Sequence, residues 1–343
     1  MTNQKNLDYR AVSQAILAEL KRDRDRQVIA KRFGFDLAKR QTLEKIGQTF
    51  DITRERVRQI EKSTLQKLAA SKSEELKTAN AAITEIVEAH GGVATAADVA
   101  KALGAKEAGD QAYVMFLASL SPDITVVNED DNTRAVFALS SKYDAKKVHE
   151  LLKTITKTVR EVGKPVRLQD LHKKLAELEL NTEELQSLAQ ANKQLANLEK
   201  HWGLLSWPQV NPKSIRDKAY LVLVGHGKPL HFTEIADRIK NSNFRRRDVT
   251  VQAVHNELIK DKRFILIGRG IYALAEWGYT PGTVADIIAE VLKHEAPLHK
   301  DEIIKRVLVK RQVRTTTIVL NLQEKNQFVR VAKATYTLKE PQA

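Results

Sequence analysis

The stretch Gln41–Leu68, QTLEKIGQTFDITRERVRQIEKSTLQKL, determines the fold of the N-terminal part of the chain. Apolar residues recur in it at helical spacing, and we expect them to be buried: Leu43, Ile46, Phe50, Val57, Ile60, Leu65 and Leu68. Thr42 and Thr53 each precede one of these runs, as N-caps do. Asp51 tolerates the left-handed backbone of a tight turn. The stretch therefore predicts two helices joined by a short turn.

The polar face of the second helix carries side chains that can read DNA bases. Four residues lie away from the apolar stripe: Arg54, Glu55, Arg58 and Gln59. Arg can bind guanine O6 and N7 with two hydrogen bonds, Gln can bind adenine in the same way, and Glu can accept from the cytosine amine. We therefore predict that this helix reads base edges in a major groove.

The segment around this stretch, residues 10–72, resembles region 4 of the bacterial primary sigma factors, the module that reads the promoter minus-35 element. Two strings carry the resemblance: RDRQVIAKRFGFD (Arg24–Asp36) and TLEKIGQTFDITRERVRQIEKSTLQKL (Thr42–Leu68). The resemblance implies the same four base readers. It also implies a set of DNA backbone contacts: Arg24, Arg32, Thr42, Leu43 and Glu44. In this family the module also cradles a helical tip of the polymerase β subunit, so the implied partners are double-stranded DNA and RNA polymerase core.

Sigma factors also carry a separate domain that melts the promoter. About twenty residues precede the matched segment, too few to bury such a core, and no matching string follows it. We therefore expect a sigma-type DNA reader without the melting machinery, and not a stand-alone initiation factor.

The composition narrows the functional classes. The chain contains no cysteine, which excludes disulfides, iron–sulfur clusters and thiolate zinc sites. No apolar run is long enough to span a bilayer, and the N-terminus lacks the hydrophobic core of a signal peptide. The histidines form no ligand pattern with paired carboxylates, and no catalytic constellation is visible. We expect a cytoplasmic, nucleoid-associated protein that is not an enzyme and uses no metal, cofactor, membrane or small-molecule substrate.

The net charge of +14 is unevenly distributed. Residues 1–72 contain 17 Lys and Arg against 9 Asp and Glu, and residues 210–343 contain 24 against 14. Residues 73–209 contain 16 against 20. Two basic ends around an acidic centre predict two segments that face nucleic acid and a central segment that faces something else. The alternative is a basic surface that only maintains solubility.

Beyond residue 73 the chain repeats one order of elements. The clearest repeat, residues 213–277, has three helical runs followed by the strand-like runs RFILIG and IYALAE. Three helices and a β-hairpin form a winged helix, and the strings GKPLHFTEIADRI and FILIGRGIYAL resemble the HARE-HTH family. The same order recurs more weakly in three segments: 77–140, 146–208 and 281–340. With a helix-turn-helix at residues 8–72, the predicted fold is mainly α with small β-wings, a helix-turn-helix domain followed by tandem winged-helix domains.

Several side chains of the repeats have predicted roles. Four aromatic residues in the final strands are expected to fill the core beneath each wing: Phe137, Trp202, Tyr272 and Tyr336. The acidic loop Glu129-Asp130-Asp131 would repel phosphate, so we expect the first repeat to contact protein or nothing. Three basic residues precede the third helix of the clearest repeat, where phosphate contacts would position that helix: Arg245, Arg246 and Arg247. A solvated loop is the alternative.

Three functions from different classes remain open. The first is a DNA-binding transcription regulator that reads a promoter-like element and docks on RNA polymerase. The second is a polymerase-binding adaptor that competes with a sigma factor and binds no specific DNA. The third is a non-specific nucleoid architectural protein that grips the DNA backbone. The intact set of base readers favours the first function.

Overall fold

The computed structural model describes residues 8–35, 39–105 and 109–339. The chain divides into two compact units, residues 1–206 and 207–343. Three predicted features extend onto residues outside the described ranges: Asp36 of the sigma-like string, residues 106–108 of the first repeat and residue 340 at the end of the last repeat. Among the described residues, no helix combines the length and the apolar composition that crossing a membrane requires.

The first unit begins with four helices: α1 (Tyr9–Ala18), α2 (Asp23–Phe33), α3 (Leu43–Phe50) and α4 (Arg54–Ala69). Thr42 and Thr53 cap α3 and α4, because each hydroxyl accepts a hydrogen bond of 3.2 Å from the backbone N–H three residues further on. Asp51 occupies the turn between them with a φ of 52°. The helix-turn-helix that the sequence predicts is therefore present.

The buried stripe of α4 differs from the prediction at one position. Val57, Ile60 and Leu68 are buried as expected, but Leu65 is only half-buried, and Thr64 is buried instead. Thr64 lies four residues from both Ile60 and Leu68, so it shares their side of the helix. The prediction was wrong here because it followed apolar character in place of helical position.

Two repeats follow in the first unit. The elements of the first repeat are α5 (Glu74–Ala89), β1 (Val93–Thr95), α6 (Ala96–Ala102), α7 (Asp110–Leu120), β2 (Ile124–Val127) and β3 (Val136–Leu139). The elements of the second repeat are α8 (Ala145–Val162), β4 (Val166–Arg167), α9 (Leu168–Lys174), α10 (Thr182–Ala191), β5 (Leu195–Leu198) and β6 (His201–Leu204). Both repeats have the order helix, strand, helix, helix, strand, strand.

The second unit contains two more repeats of this order. The elements of the third repeat are α11 (Ile215–His226), β7 (Leu230–His231), α12 (Phe232–Lys240), α13 (Val251–Lys260), β8 (Phe264–Gly268) and β9 (Ile271–Leu274). The elements of the fourth repeat are α14 (Val284–His294), β10 (Leu298–His299), α15 (Lys300–Lys310), α16 (Thr315–Glu324), β11 (Phe328–Ala332) and β12 (Thr335–Leu338).

Each repeat contains a three-stranded antiparallel sheet whose last strand lies between the other two. The sequence does not reveal the two- or three-residue strands β1, β4, β7 and β10, because so short a run shows no period; it also does not reveal β5. The predicted aromatic residues occupy one register position in all four sheets: Phe137 opposite Ala94, Trp202 opposite Val166, Tyr272 opposite Leu230 and Tyr336 opposite Leu298. All four are buried, as the structural interpretation predicts.

A single apolar core joins the helix-turn-helix to the first repeat. Phe35, which follows α2, stacks on Tyr113 of α7 with ring centroids 4.6 Å apart. Phe33 and Phe35 both meet the ring of Phe116 edge-on, at centroid distances of 5.4 and 5.5 Å. The core therefore crosses residue 72, where the sequence places a domain boundary. The first repeat contacts protein, namely the helix-turn-helix of its own chain.

Candidate nucleic-acid interface

The N-terminal half of α4 presents the predicted base readers to solvent. All four are exposed: Arg54, Glu55, Arg58 and Gln59. Val57 and Ile60, on the other side of the helix, pack into a small core with Val28 and Ile46. The buried side thus fixes the rotation of α4 and brings the four readers together on its outer surface.

Glu55 and Arg58 bind each other in this structure. Arg58 Nε donates to Glu55 Oε2 at 2.9 Å, and Arg58 Nη2 donates to Glu55 Oε1 at 2.7 Å. The hydrogen bond from Arg58 lowers the pKa of Glu55, and the same bond raises the pKa of Arg58. The pair occupies donors that guanine would need, so base reading by Arg58 requires that it separate from Glu55.

Arg56 is an exposed residue of the same helix that the sequence reasoning missed. Its Nη1 donates to Gln59 Oε1 at 3.2 Å, and its backbone N–H is the one that Thr53 caps. Its position among the readers in an arginine-rich run was the signal that could have found it. A cation at this place can contact the phosphates that flank the groove.

The predicted backbone contacts at the start of α3 differ in exposure. Thr42 and Glu44 are exposed, whereas Leu43 is half-buried against the small core. The half-exposed Arg24 forms an ion pair with Asp25, with 3.6 Å between Nε and Oδ1. Of these four residues, Thr42 and Glu44 present the most accessible side chains.

Arg32 is held inside the helix-turn-helix. Its Nε donates to Glu61 Oε1 at 3.0 Å, and its Nη1 donates to the backbone oxygen of Gln41 at 3.4 Å. Its side chain is only 24% exposed. Arg32 therefore ties α2 to α4 and to the segment before α3, a structural role that the sequence does not predict. A phosphate contact from Arg32 would compete with Glu61.

Arg40, which the sequence reasoning also missed, connects this region to the first wing. Its Nε donates to the backbone oxygen of Arg32 at 3.2 Å, and its Nη2 donates to Asn128 Oδ1 at 3.1 Å. Asn128 directly precedes the acidic loop, in which Glu129 pairs with Lys193 at 2.5 Å. The acidic loop thus begins beside the predicted backbone contacts, where carboxylates would oppose a phosphate.

In the second unit, the three predicted phosphate contacts lie on the exposed connection between α12 and α13: Arg245, Arg246 and Arg247. Arg246 has a φ of 52°. Arg247 Nη1 donates to the backbone oxygen of Ser242 at 3.2 Å. Their placement at the surface fits the prediction, and their contact with phosphate remains a prediction. No group of three or more His, Cys, Asp or Glu side chains in the described part of the chain is arranged to hold a metal ion.

Comparison with known protein families identifies two segments. Residues 16–70 match the model of the family Sigma-70, region 4. Residues 213–277 match the model of the HARE-HTH family, described as an HTH domain of ASXL and restriction endonuclease. Both resemblances stated from the sequence are confirmed.

Similar curated proteins include the RNA polymerase sigma factor SigA of Listeria monocytogenes serovar 1/2a and that of Listeria innocua serovar 6a. Each is 48% identical to this chain over 56 residues. The aligned segment is 16% of this chain and 15% of each sigma factor, so the chain spans only that small part of the length of these relatives. The matched segments support a DNA-binding, transcription-related role.

Proposed function

We propose that this chain is a DNA-binding, transcription-associated regulator that reads a promoter-like element through α4. The observation that carries the proposal is the exposed quartet of readers on α4, within a segment that matches sigma-70 region 4. The proposal assigns the chain no catalytic step and no metal or cofactor.

In this proposal the ion pair between Glu55 and Arg58 opens as α4 enters the major groove. Both side chains are more than half exposed, and an exposed ion pair contributes only about 0.2–1 kcal/mol. One bidentate contact between Arg and guanine is worth about 1–3 kcal/mol of discrimination. The exchange is therefore favourable at a guanine, and Glu55 becomes free to accept from a cytosine amine.

The Arg58→Ala variant tests base reading. It should weaken binding to a duplex with a minus-35-type element by about 1–3 kcal/mol, roughly 5- to 150-fold, and barely affect a scrambled duplex. Fluorescence anisotropy of the full chain on both duplexes, across a salt series, measures the difference. An equal loss on both duplexes would rule out direct readout by Arg58.

The matched control is Lys67→Ala, which removes one positive charge from another exposed position of α4. Nine residues separate positions 58 and 67, so Lys67 lies on the opposite side of the helix. We expect this control to retain the preference for the minus-35-type duplex. If neither variant nor the parent chain prefers it and binding falls steeply with salt, the architectural function stands instead.

A second candidate function is docking on RNA polymerase, and we propose the β subunit as its site. It is supported by the matched relatives, which are RNA polymerase sigma factors, and by the engagement of the readers with one another. Binding of purified core polymerase to the parent chain and to Arg54→Ala/Arg58→Ala tests it. Equal binding by both, with no DNA preference in the parent, would favour the adaptor; no binding by either would exclude docking.

A further inference from the structure

The third helices of the four repeats are used in two different ways. In the first unit, α7 packs against α1, α2 and α4, and α10 packs against β1 of the preceding repeat. Seven of the eleven residues of α7 and six of the ten residues of α10 are buried. In the second unit, α13 and α16 each bury only two of ten residues. The outer faces of α13 and α16 are therefore open to solvent.

The outer face of α13 has the chemistry of an A·T base pair. Gln252, Asn256 and Ile259 are exposed and follow the spacing of a single helical face. Gln and Asn are the side chains that bind adenine N6 and N7 with two hydrogen bonds, and an apolar side chain can contact the thymine methyl group. Ile259 is 64% exposed, which is unusual for isoleucine in a folded protein. The outer face of α16 has no such amide pair, since Gln323 is its only exposed Gln or Asn.

The two amides of α13 already orient each other. Gln252 Nε2 donates to Asn256 Oδ1 at 3.0 Å. This bond uses one donor and one acceptor, so Gln252 Oε1 and Asn256 Nδ2 remain as an acceptor and a donor. Adenine presents in the major groove the complementary pair, the N6 donor and the N7 acceptor.

The basic segment before α13 is anchored. Phe244 and Val249 bury their side chains at its two ends. Between them, the Nζ of Lys218 on α11 donates to the backbone oxygen of Arg246 at 2.7 Å, and this residue has the left-handed φ noted above. Lys218 thus holds the turn that displays Arg245, Arg246 and Arg247.

Lys218 is a buried cation in a basic setting. It is only 3% exposed, and burial together with the charge of Arg246 lowers its pKa. No ion pair joins it to a carboxylate within the described ranges of the chain. Cations that lack an internal partner, held at the start of an open helix, suit the phosphates that flank a major groove.

We propose that residues 213–277 form a second DNA reader, specific for A·T base pairs. Gln252 and Asn256 bind adenine, and Ile259 contacts the thymine methyl group. Lys218 is a positioning residue that presents the three arginines to the phosphate backbone. This inference goes beyond the reading proposed for α4, because it gives the second unit a base preference of its own.

The test uses the full chain with Arg54→Ala/Arg58→Ala, so that reading by α4 is silenced. Selection from a random duplex library should enrich A·T steps. Adding Gln252→Ala/Asn256→Ala should lower affinity for an enriched duplex about tenfold or more and change affinity for a G·C-rich duplex less than about twofold. No enrichment, or enrichment that survives the second pair of substitutions, would overturn the proposal. Either result is independent of the outcome for Arg58 on the minus-35-type duplex.

Two further variants complete the design. Gln323→Ala removes the exposed glutamine of α16 and should leave the preference unchanged. Lys218→Met should weaken binding to every duplex alike. Because Lys218→Met can also impair folding, Arg245→Ala/Arg246→Ala/Arg247→Ala tests the same interaction with exposed side chains. The triple variant should reduce the salt slope by about one for each phosphate that it no longer binds. An unchanged slope would overturn the phosphate contact.

Discussion

At the scale of the residue, the tightest constraint on the helix-turn-helix lies at Gly47 in α3. A Cβ atom at this position would stand 2.6 Å from the carbonyl oxygen of Ile52, which belongs to the backbone of the turn. The turn has little room to yield, because Thr53 directly after it caps α4. Only a residue without a side chain allows α3 and α4 to approach this closely.

Gly47→Ala should therefore destabilise the helix-turn-helix by about 1–3 kcal/mol, the usual range for overpacking. Hydrogen exchange of α3 and α4 measures the effect. The control is Gly225→Ala in α11, where an added Cβ would meet no atom within 4 Å. Alanine is the better helix former there by about 0.5–1 kcal/mol, so the control should be neutral or stabilising. Equal losses in both variants would contradict the steric explanation.

At the scale of the elements, a buried carboxylate holds α10 against the first repeat. Glu184 accepts a hydrogen bond of 2.7 Å from the hydroxyl of Tyr143 and one of 2.8 Å from the backbone N–H of Asn181, and it pairs with Lys142. Burial alone would raise the pKa of Glu184, but these bonds outweigh it and keep the pKa below that of an ordinary glutamate. The charged form is thus the one that joins the two repeats.

A carboxyl group whose pKa is lower in the folded state stabilises the fold above its unfolded pKa of about 4.3, and this stabilisation is lost as the pH falls through the folded value. Glu184→Gln should therefore reduce the stability of the first unit at pH 7 by about 1–3 kcal/mol. The deficit should shrink towards pH 3. Urea unfolding at the two pH values, with the exposed neighbour Glu183→Gln as control, measures it. A deficit that does not change with pH would exclude the charged interaction.

At the scale of the whole molecule, the DNA-reading helix is coupled to a repeat that reads no DNA in our proposals. Phe116 of α7 is fully buried in the core that joins them. Phe116→Ala should remove about 3–5 kcal/mol of stability, and α4 and α7 should lose hydrogen-exchange protection together. Phe328→Ala, in the separate core of the fourth repeat, should leave both helices protected. Loss of protection in α7 alone would show that the two parts unfold independently.

The sequence by itself determined the local features of this protein. The helix-turn-helix follows from the spacing of Ile46 and Ile60, from the caps Thr42 and Thr53, and from Asp51 in the turn, all of which act over a few residues. The order of elements in the repeats and the aromatic residue of each final strand are local in the same sense. The exposed readers of α4 follow from the same helical period.

Only the tertiary structure decided how these elements are used. The ion pair between Arg32 and Glu61 joins residues 29 positions apart, and the short first strand of each sheet exists only because a distant strand pairs with it. The sequence predicts three helices in every repeat, yet α7 is covered by the helix-turn-helix while α13 remains open. The physical reason is that an apolar or polar helical face indicates that it will be buried or exposed, but not which distant segment will cover it.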